Sequence, residues 1–141
     1  MLEIINNQRK VKVNPKTFQD FAEKVVRKIS ETGGKFVTIA FVSDKKMRLL
    51  NNTFRGKNAT TDVLSFPFKA EEFETDENNL GDIFISLEQA EKQASENNLD
   101  FETEIKQLIL HGVLHLCGFD HEIDNGVMNQ RELELRELLE I

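Results

Sequence analysis

The chain of 141 residues lacks the features that mark several classes of protein. Its single cysteine excludes an intramolecular disulfide and a cysteine-based structural zinc site. It has no apolar run of the roughly 20 residues that a membrane-spanning helix needs. The opening MLEIINNQRK also lacks the apolar core of a secretory signal peptide. We therefore expect a cytoplasmic protein with no membrane partner.

Positive charge is also scarce overall, since the formal net charge is −7. Phosphate backbones are bound mainly by Lys and Arg, so this balance argues at first against a nucleic-acid partner. The charges are unevenly distributed, however. Residues 1–57 carry thirteen Lys and Arg against five Asp and Glu, whereas residues 58–141 carry five against twenty. The basic residues of the first half could form an RNA-binding surface. A charged face that contacts only solvent explains them equally well.

Length and hydrophobic patterning predict a single domain spanning residues 1–141. Hydrophobic residues make up 39% of the chain and include eleven phenylalanines, which is enough for one core. Strands and helices are interspersed without strict alternation, which favours the α+β class, with a mixed β-sheet covered by helices. Strands are predicted at residues 2–5, 11–13, 36–42, 63–66 and 80–85. Helices are predicted from Pro15 to the glycines at 33–34, after Ser43, after Ser86, at 101–116, and at 126–139 with inward-facing leucines at 133, 135, 138 and 139.

All three histidines lie within eleven residues, at 111, 115 and 121. On a helix, His111 and His115 share one face and can direct two imidazoles at one ion. Gly118 can adopt the left-handed conformation that ends the helix and turns His121 back toward the pair. Three protein ligands with an open fourth position are typical of a catalytic zinc site. Packed core histidines are the simpler alternative. The spacing predicts a metal site on this helix-turn segment.

The same spacing of two histidines, a glycine and a third histidine occurs in metzincin proteases. In those enzymes the residue after the first histidine is a glutamate that acts as general base. Here that residue is Gly112, which has no carboxylate to activate water. Peptide hydrolysis by that route is therefore not expected, and a metallopeptidase stays a distant alternative.

Three separated blocks of sequence resemble the YbeY family of bacterial metal-dependent endoribonucleases. The blocks are NNTFRGKNATTDVLSFPF at 51–68, LGDIFIS at 80–86 and HGVLHLCGFDHE at 111–122. The resemblance implies one Zn²⁺ ion, or another divalent transition metal such as Ni²⁺, on His111, His115 and His121, and a functional arginine at Arg55. It also implies single-stranded RNA as substrate, with ribosomal RNA and the small ribosomal subunit as partners in 16S rRNA 3′-end maturation and ribosome quality control, and no DNA partner.

The remaining roles are hypotheses about individual side chains. Arg55 suits a phosphate, because its planar fork pairs bidentately with phosphate oxygens. Asp120 and Glu122 flank a predicted ligand, and the sequence leaves open whether they move a proton, orient an imidazole or simply face water; Asp82 is a further candidate to orient an imidazole. Cys117 is expected to be a packed residue rather than a ligand. A non-catalytic ribosome-assembly factor with a structural metal remains a third interpretation of the chain.

Overall fold

A computed structural model describes residues 2–68, 78–119 and 126–141. Four strands and five α-helices make up this part of the chain, together with a single 3₁₀ turn at Ser30–Thr32. The strands are β1 (Leu2–Asn6), β2 (Phe36–Val42), β3 (Val63–Pro67) and β4 (Asn79–Ser86). The helices are α1 (Pro15–Lys28), α2 (Asp44–Arg55), α3 (Leu87–Glu96), α4 (Phe101–Leu116) and α5 (Val127–Leu139). No helix in the described ranges has the length and apolar character required to cross a membrane.

The strands form one mixed sheet in the order β1-β2-β4-β3. Strands β1, β2 and β4 are parallel, and β3 pairs with β4 in the antiparallel direction. Pro67 is tolerated in β3 because that strand lies at an edge of the sheet. The predicted α+β class, with a mixed sheet covered by helices, is confirmed.

Successive residues of the two central strands point to opposite faces of the sheet and separate two hydrophobic clusters. Ile39 and Ile83 belong to the larger cluster, which packs against α1, α3, α4 and α5. Ala40 and Phe84 belong to the smaller cluster, which packs against α2. The helix that carries two of the predicted metal ligands, α4, therefore lies on the opposite face of the sheet from α2.

Polar side chains begin the helices at the positions that the sequence predicts. The side chains of Asn14, Ser43, Ser86 and Asp100 accept hydrogen bonds from backbone N–H groups in the first turns of α1 to α4. Such caps satisfy donors that have no partner inside the helix. The starts of these helices were predictable because each cap is a local interaction.

Four details of the predicted elements are wrong. Residues 11–13 do not form a strand, because the Gln8 side chain bonds both the N–H and the carbonyl of Val11 and so takes the groups that a strand would use. Helix α1 ends at Lys28, before the 3₁₀ turn, and not at the glycines. Leu133 and Leu138 are exposed, since only one side of α5 contacts the core. Strand β4 begins at Asn79, one residue before the predicted strand at 80–85, and it ends at Ser86.

Candidate metal and RNA-binding site

Helix α4 presents two imidazoles on one edge of its buried face. The Nε2 atoms of His111 and His115 lie 3.0 Å apart, and the ring centroids are 4.6 Å apart at 69°. The i, i+4 spacing produces this approach because residues one turn apart lie above one another. Both rings are partly exposed, so the pair faces solvent at the margin of the core.

The separation of the two nitrogens suits ligands of one ion. Two imidazole nitrogens on a tetrahedral zinc ion lie about 3.3 Å apart, since each Zn–N bond is about 2.0–2.1 Å long. The observed 3.0 Å is close to this value without any rearrangement of the helix. The donor chemistry and the spacing of His111 and His115 therefore fit a divalent transition metal.

The turn after α4 leads toward the third predicted ligand. Gly118 has φ +95°, a left-handed conformation that glycine adopts readily, and its N–H donates to the carbonyl of His115. His121, Asp120 and Glu122 lie outside the described residues. Within the part of the chain that the structure describes, no three His, Cys, Asp or Glu residues form a metal-binding group. The role of His121 stays a prediction.

A carboxylate that sequence analysis missed contacts His111, one of the two histidines. Glu132 Oε1 of α5 lies 3.2 Å from His111 Nδ1 and 3.4 Å from Arg136 Nη2. Glu132 is 5% exposed and shares the buried side of α5 with Met128 and Leu135. A glutamate among the apolar residues on one side of α5 is the sequence signal for a buried carboxylate, whereas the leucines of this helix indicate only packing.

Asp82 does not occupy the position predicted for it. In β4 it alternates with Ile83, which faces α4, and it lies directly across from Phe66, whose ring packs on Phe84 in the smaller cluster. Asp82 is therefore on the opposite face of the sheet from the histidines, although burial raises the pKa of its carboxyl group. It does not orient an imidazole.

Gly112 faces the sheet rather than the histidine pair. A Cβ atom at this position would lie 2.8 Å from Ile83 Cγ2. The Ser65 hydroxyl donates to the Gly112 carbonyl over 3.1 Å, which further ties the helix to β3. A side chain at position 112 would enter the core, so this helix cannot present a general base there as metzincin proteases do.

A polar cleft of about 550 Å³ lies beside His111, between α4, α5 and the segment that follows α3. Asp62 and Glu104 line it. With its nitrogen turned toward the two carboxylates, the Gln93 amide donates to Glu104 Oε1 at 3.0 Å and to Asp62 Oδ2 at 3.1 Å. Burial, with the neighbouring charge of Asp62, raises the pKa of Glu104. The amide thus holds two acidic groups together beside His111.

Arg55 ends α2 and is exposed, with Gly56 after it in the left-handed conformation at φ +66°. A groove of about 410 Å³ on α2 contains three cations, two asparagines and an exposed leucine. These residues are Lys45, Lys46, Arg48, Leu49, Asn52 and Asn58, together with Ser43. A positively charged groove can follow a nucleic-acid backbone, although the described residues that line this groove include no aromatic side chain on which a base could stack.

Basic residues of the N-terminal segment partly extend the charged surface of α2. Lys10 lies close enough to lower the pKa of Asp44, the first residue of α2. Arg9 and Lys12 line a separate groove of about 650 Å³ beside β1. The charge of Lys10 therefore contributes to the lowered pKa of Asp44 less than the hydrogen bonds from Ser86, Gln89 and Thr60 do, and Arg9 and Lys12 line the separate groove.

Cys117 follows α4 directly and is half-buried. Burial, with a smaller contribution from the charge of Glu31, raises the pKa of its thiol to about 11. A thiol with so high a pKa is a poor nucleophile at neutral pH. Cys117 is thus a packed residue, as its position between Leu116 and Gly118 predicts.

Comparison with known proteins identifies a family over nearly the whole chain. The family model described as Endoribonuclease YbeY matches residues 3–140. Endoribonuclease YbeY of Thermodesulfovibrio yellowstonii is 36% identical over 147 residues, which cover 94% of this chain and 92% of the relative. The protein of the same name from Campylobacter jejuni strain 81-176 is 42% identical over 119 residues, 84% of each chain. The solution structure of a Thermotoga maritima protein superposes with a TM-score of 0.65 at 30% identity and covers 99% of this chain and 89% of that one.

Proposed function

Because this chain belongs to the YbeY family of endoribonucleases, we propose that it is a metal-dependent endoribonuclease that cleaves single-stranded RNA. The observation that carries the proposal is the approach of the His111 and His115 Nε2 atoms to 3.0 Å at a solvent-facing edge. One divalent ion per chain, zinc or a similar transition metal, is held there with His121 as the third ligand. A bound ion would polarise a phosphoryl oxygen or acidify a water molecule.

The proposal assigns the phosphate to Arg55. Its guanidinium is exposed at the end of α2, where it can form two parallel hydrogen bonds to phosphate oxygens. Because α2 and α4 lie on opposite faces of the sheet, the bound RNA must extend around the sheet edge for Arg55 to stabilise the negative charge that develops in phosphodiester cleavage. The α2 groove, with Lys45, Lys46 and Arg48, supplies further contacts to the RNA backbone.

The biological substrate that we propose is ribosomal RNA. We propose that the protein processes the 16S rRNA 3′ end on the small ribosomal subunit, in the cytoplasm, and membership of the YbeY family supports an RNA substrate. Strong net negative charge on the C-terminal half disfavours uniform wrapping by RNA. We therefore expect RNA to contact α2 and the edge of α4 that carries His111 and His115, and not the whole surface of the protein.

The two alternatives are less well supported. A metallopeptidase of the metzincin type needs a carboxylate at position 112, and that position faces Ile83 in the core. An assembly factor with a purely structural metal does not require ligands at a solvent-facing edge, whereas both imidazoles here are partly exposed.

A cleavage assay on single-stranded RNA tests the proposal. Untagged wild-type protein is compared with His115→Ala, with a chelator-treated sample, and with Glu102→Ala as a control on an exposed position of the same helix. We expect cleavage by the wild type and by Glu102→Ala only, with all variants folded by circular dichroism. Equal cleavage by every sample would mean a contaminating nuclease, and a metal-bound wild type that cleaves neither free RNA nor small ribosomal subunits would refute the proposal.

A further inference from the structure

We infer that Glu132 is a positioning residue that sets the tautomer and ring orientation of His111, so that its Nε2 lone pair points at the metal. This inference rests on the proposed function, because it assumes that His111 is a ligand. It joins α5 to a site whose predicted ligands all come from residues 111–121. The carboxylate and the imidazole are 21 residues apart in sequence and 3.2 Å apart in the structure.

The contacts of His111 determine which of its ring nitrogens carries the hydrogen. A carboxylate oxygen only accepts hydrogen bonds, so the His111 nitrogen that faces Glu132 Oε1, which is Nδ1, must carry the hydrogen. In a neutral imidazole the other nitrogen, Nε2, then has a lone pair. That atom lies 3.0 Å from His115 Nε2, where an ion would be held. The contact with Glu132 thus selects the tautomer that can bind a metal through Nε2.

Arg136 and the packing of α5 hold the Glu132 carboxylate in place. Glu132 is only 5% exposed, and Arg136, one turn later on α5, approaches the same oxygen to 3.4 Å. A carboxylate that pairs with a guanidinium accepts hydrogen bonds from a neighbouring imidazole N–H. Met128 and Leu135 on the same side of α5 are buried in the core and fix the helix against α4. The carboxylate is therefore aimed at His111 by packing and by Arg136 together.

Glu132→Leu tests the inference. The new side chain is apolar and of similar size, and it continues the buried stripe of α5, so the metal-free protein should stay folded. Glu132→Gln keeps an oxygen acceptor and removes the charge. Glu134→Leu, at an exposed position of the same helix, is the matched control. Zinc affinity is measured by competition with a chromophoric chelator, and the stability of each chelated protein by thermal unfolding.

We expect Glu132→Leu to bind zinc about 10- to 100-fold more weakly than the wild type, the usual loss when a carboxylate behind a ligating histidine is removed. The zinc affinity of Glu132→Gln should lie between those of the wild type and Glu132→Leu. The zinc affinity of Glu134→Leu should match that of the wild type. A purely structural role would lower thermal stability and leave zinc affinity unchanged. Wild-type zinc affinity in folded Glu132→Leu, or in Glu132→Gln should the first variant not fold, would overturn the inference.

The tautomer of His111 in metal-free protein gives a second readout that needs no enzyme activity. Long-range ¹H–¹⁵N spectra at about pH 8, where unperturbed imidazoles are neutral, should show hydrogen on Nδ1 in the wild type and its redistribution toward Nε2 in Glu132→Leu. An unchanged tautomer in Glu132→Leu would overturn the inference. A wild type that binds no zinc would instead refute the proposed function, while these spectra still test the action of Glu132 on His111.

Discussion

The contact between Gly112 and Ile83 sets how closely α4 approaches the sheet, and Gly112→Ala tests it. The added methyl carbon would lie 2.8 Å from Cγ2, 3.0 Å from Cδ1 and 3.3 Å from Cγ1 of Ile83. Ile83 is fully buried in β4, between two neighbouring strands. Neither the isoleucine nor the strand can retreat easily, so the substitution should push α4 outward.

The expected magnitude comes from two opposing effects. Overpacking a core costs about 1–3 kcal/mol, whereas alanine in place of glycine within a helix contributes about 1 kcal/mol of stability. Gly112→Ala should therefore lower the free energy of unfolding by about 0–2 kcal/mol. In an Ile83→Ala background the clash is absent and the new methyl occupies vacated space. There the same substitution should stabilise the protein by about 1 kcal/mol.

Urea unfolding of the four proteins in the presence of a chelator measures this coupling without a contribution from bound metal. The cycle consists of the wild type, Gly112→Ala, Ile83→Ala and the double variant. A coupling energy of about 1–3 kcal/mol in favour of the double variant is expected for side chains in contact. If the two effects simply add to within about 0.5 kcal/mol, the packing explanation is wrong.

Three further predictions concern the RNA contact, a buried network and the sheet. Arg55→Lys should lower kcat/KM on single-stranded RNA by about 10- to 100-fold, because about one charge-assisted hydrogen bond is lost. The control Arg27→Lys, at an exposed position of α1, should leave kcat/KM unchanged. Equal activities of the two variants would remove Arg55 from the mechanism. Burial raises the pKa of Asp44, but hydrogen bonds from Ser86, Gln89 and Thr60 outweigh it and hold the pKa below its usual range. Because the folded-state pKa is depressed, this stabilisation is present above the unfolded pKa of about 3.9 and is lost as pH falls through the folded value. Urea titrations should thus show Asp44→Asn about 1–2 kcal/mol less stable than the wild type at neutral pH, with this difference in the free energy of unfolding shrinking below about pH 4. A difference that does not depend on pH would contradict this explanation. Gly81→Ala should cost about 3 kcal/mol or more, because φ is +147° and the methyl would overlap the Phe66 carbonyl oxygen; thermal unfolding within a few degrees of the wild type would contradict this account.

Local interactions explain most of what the sequence predicted correctly about the fold. Caps such as Ser86 act on backbone groups within three residues, and the apolar run of β2 is too short and uniform for a surface helix. The wrong strand at 11–13 has the opposite cause. There a side chain three residues away bonds the backbone of Val11, and hydrophobic alternation carries no information about that contact.

The amino-acid sequence by itself determined the approach of His111 to His115, since helical geometry places residues four apart on one face, and it also determined the turn at Gly118. The tertiary structure alone decided which carboxylate contacts the Nδ1 atom of His111. The sequence offers Asp82, within the LGDIFIS block, as a candidate to orient an imidazole, but the pleat of β4 turns it to the opposite face of the sheet. Glu132 reaches His111 because α5 packs on α4, and no local rule relates residues 21 positions apart. Contacts between elements depend on how the whole core packs, which periodicity and spacing do not encode.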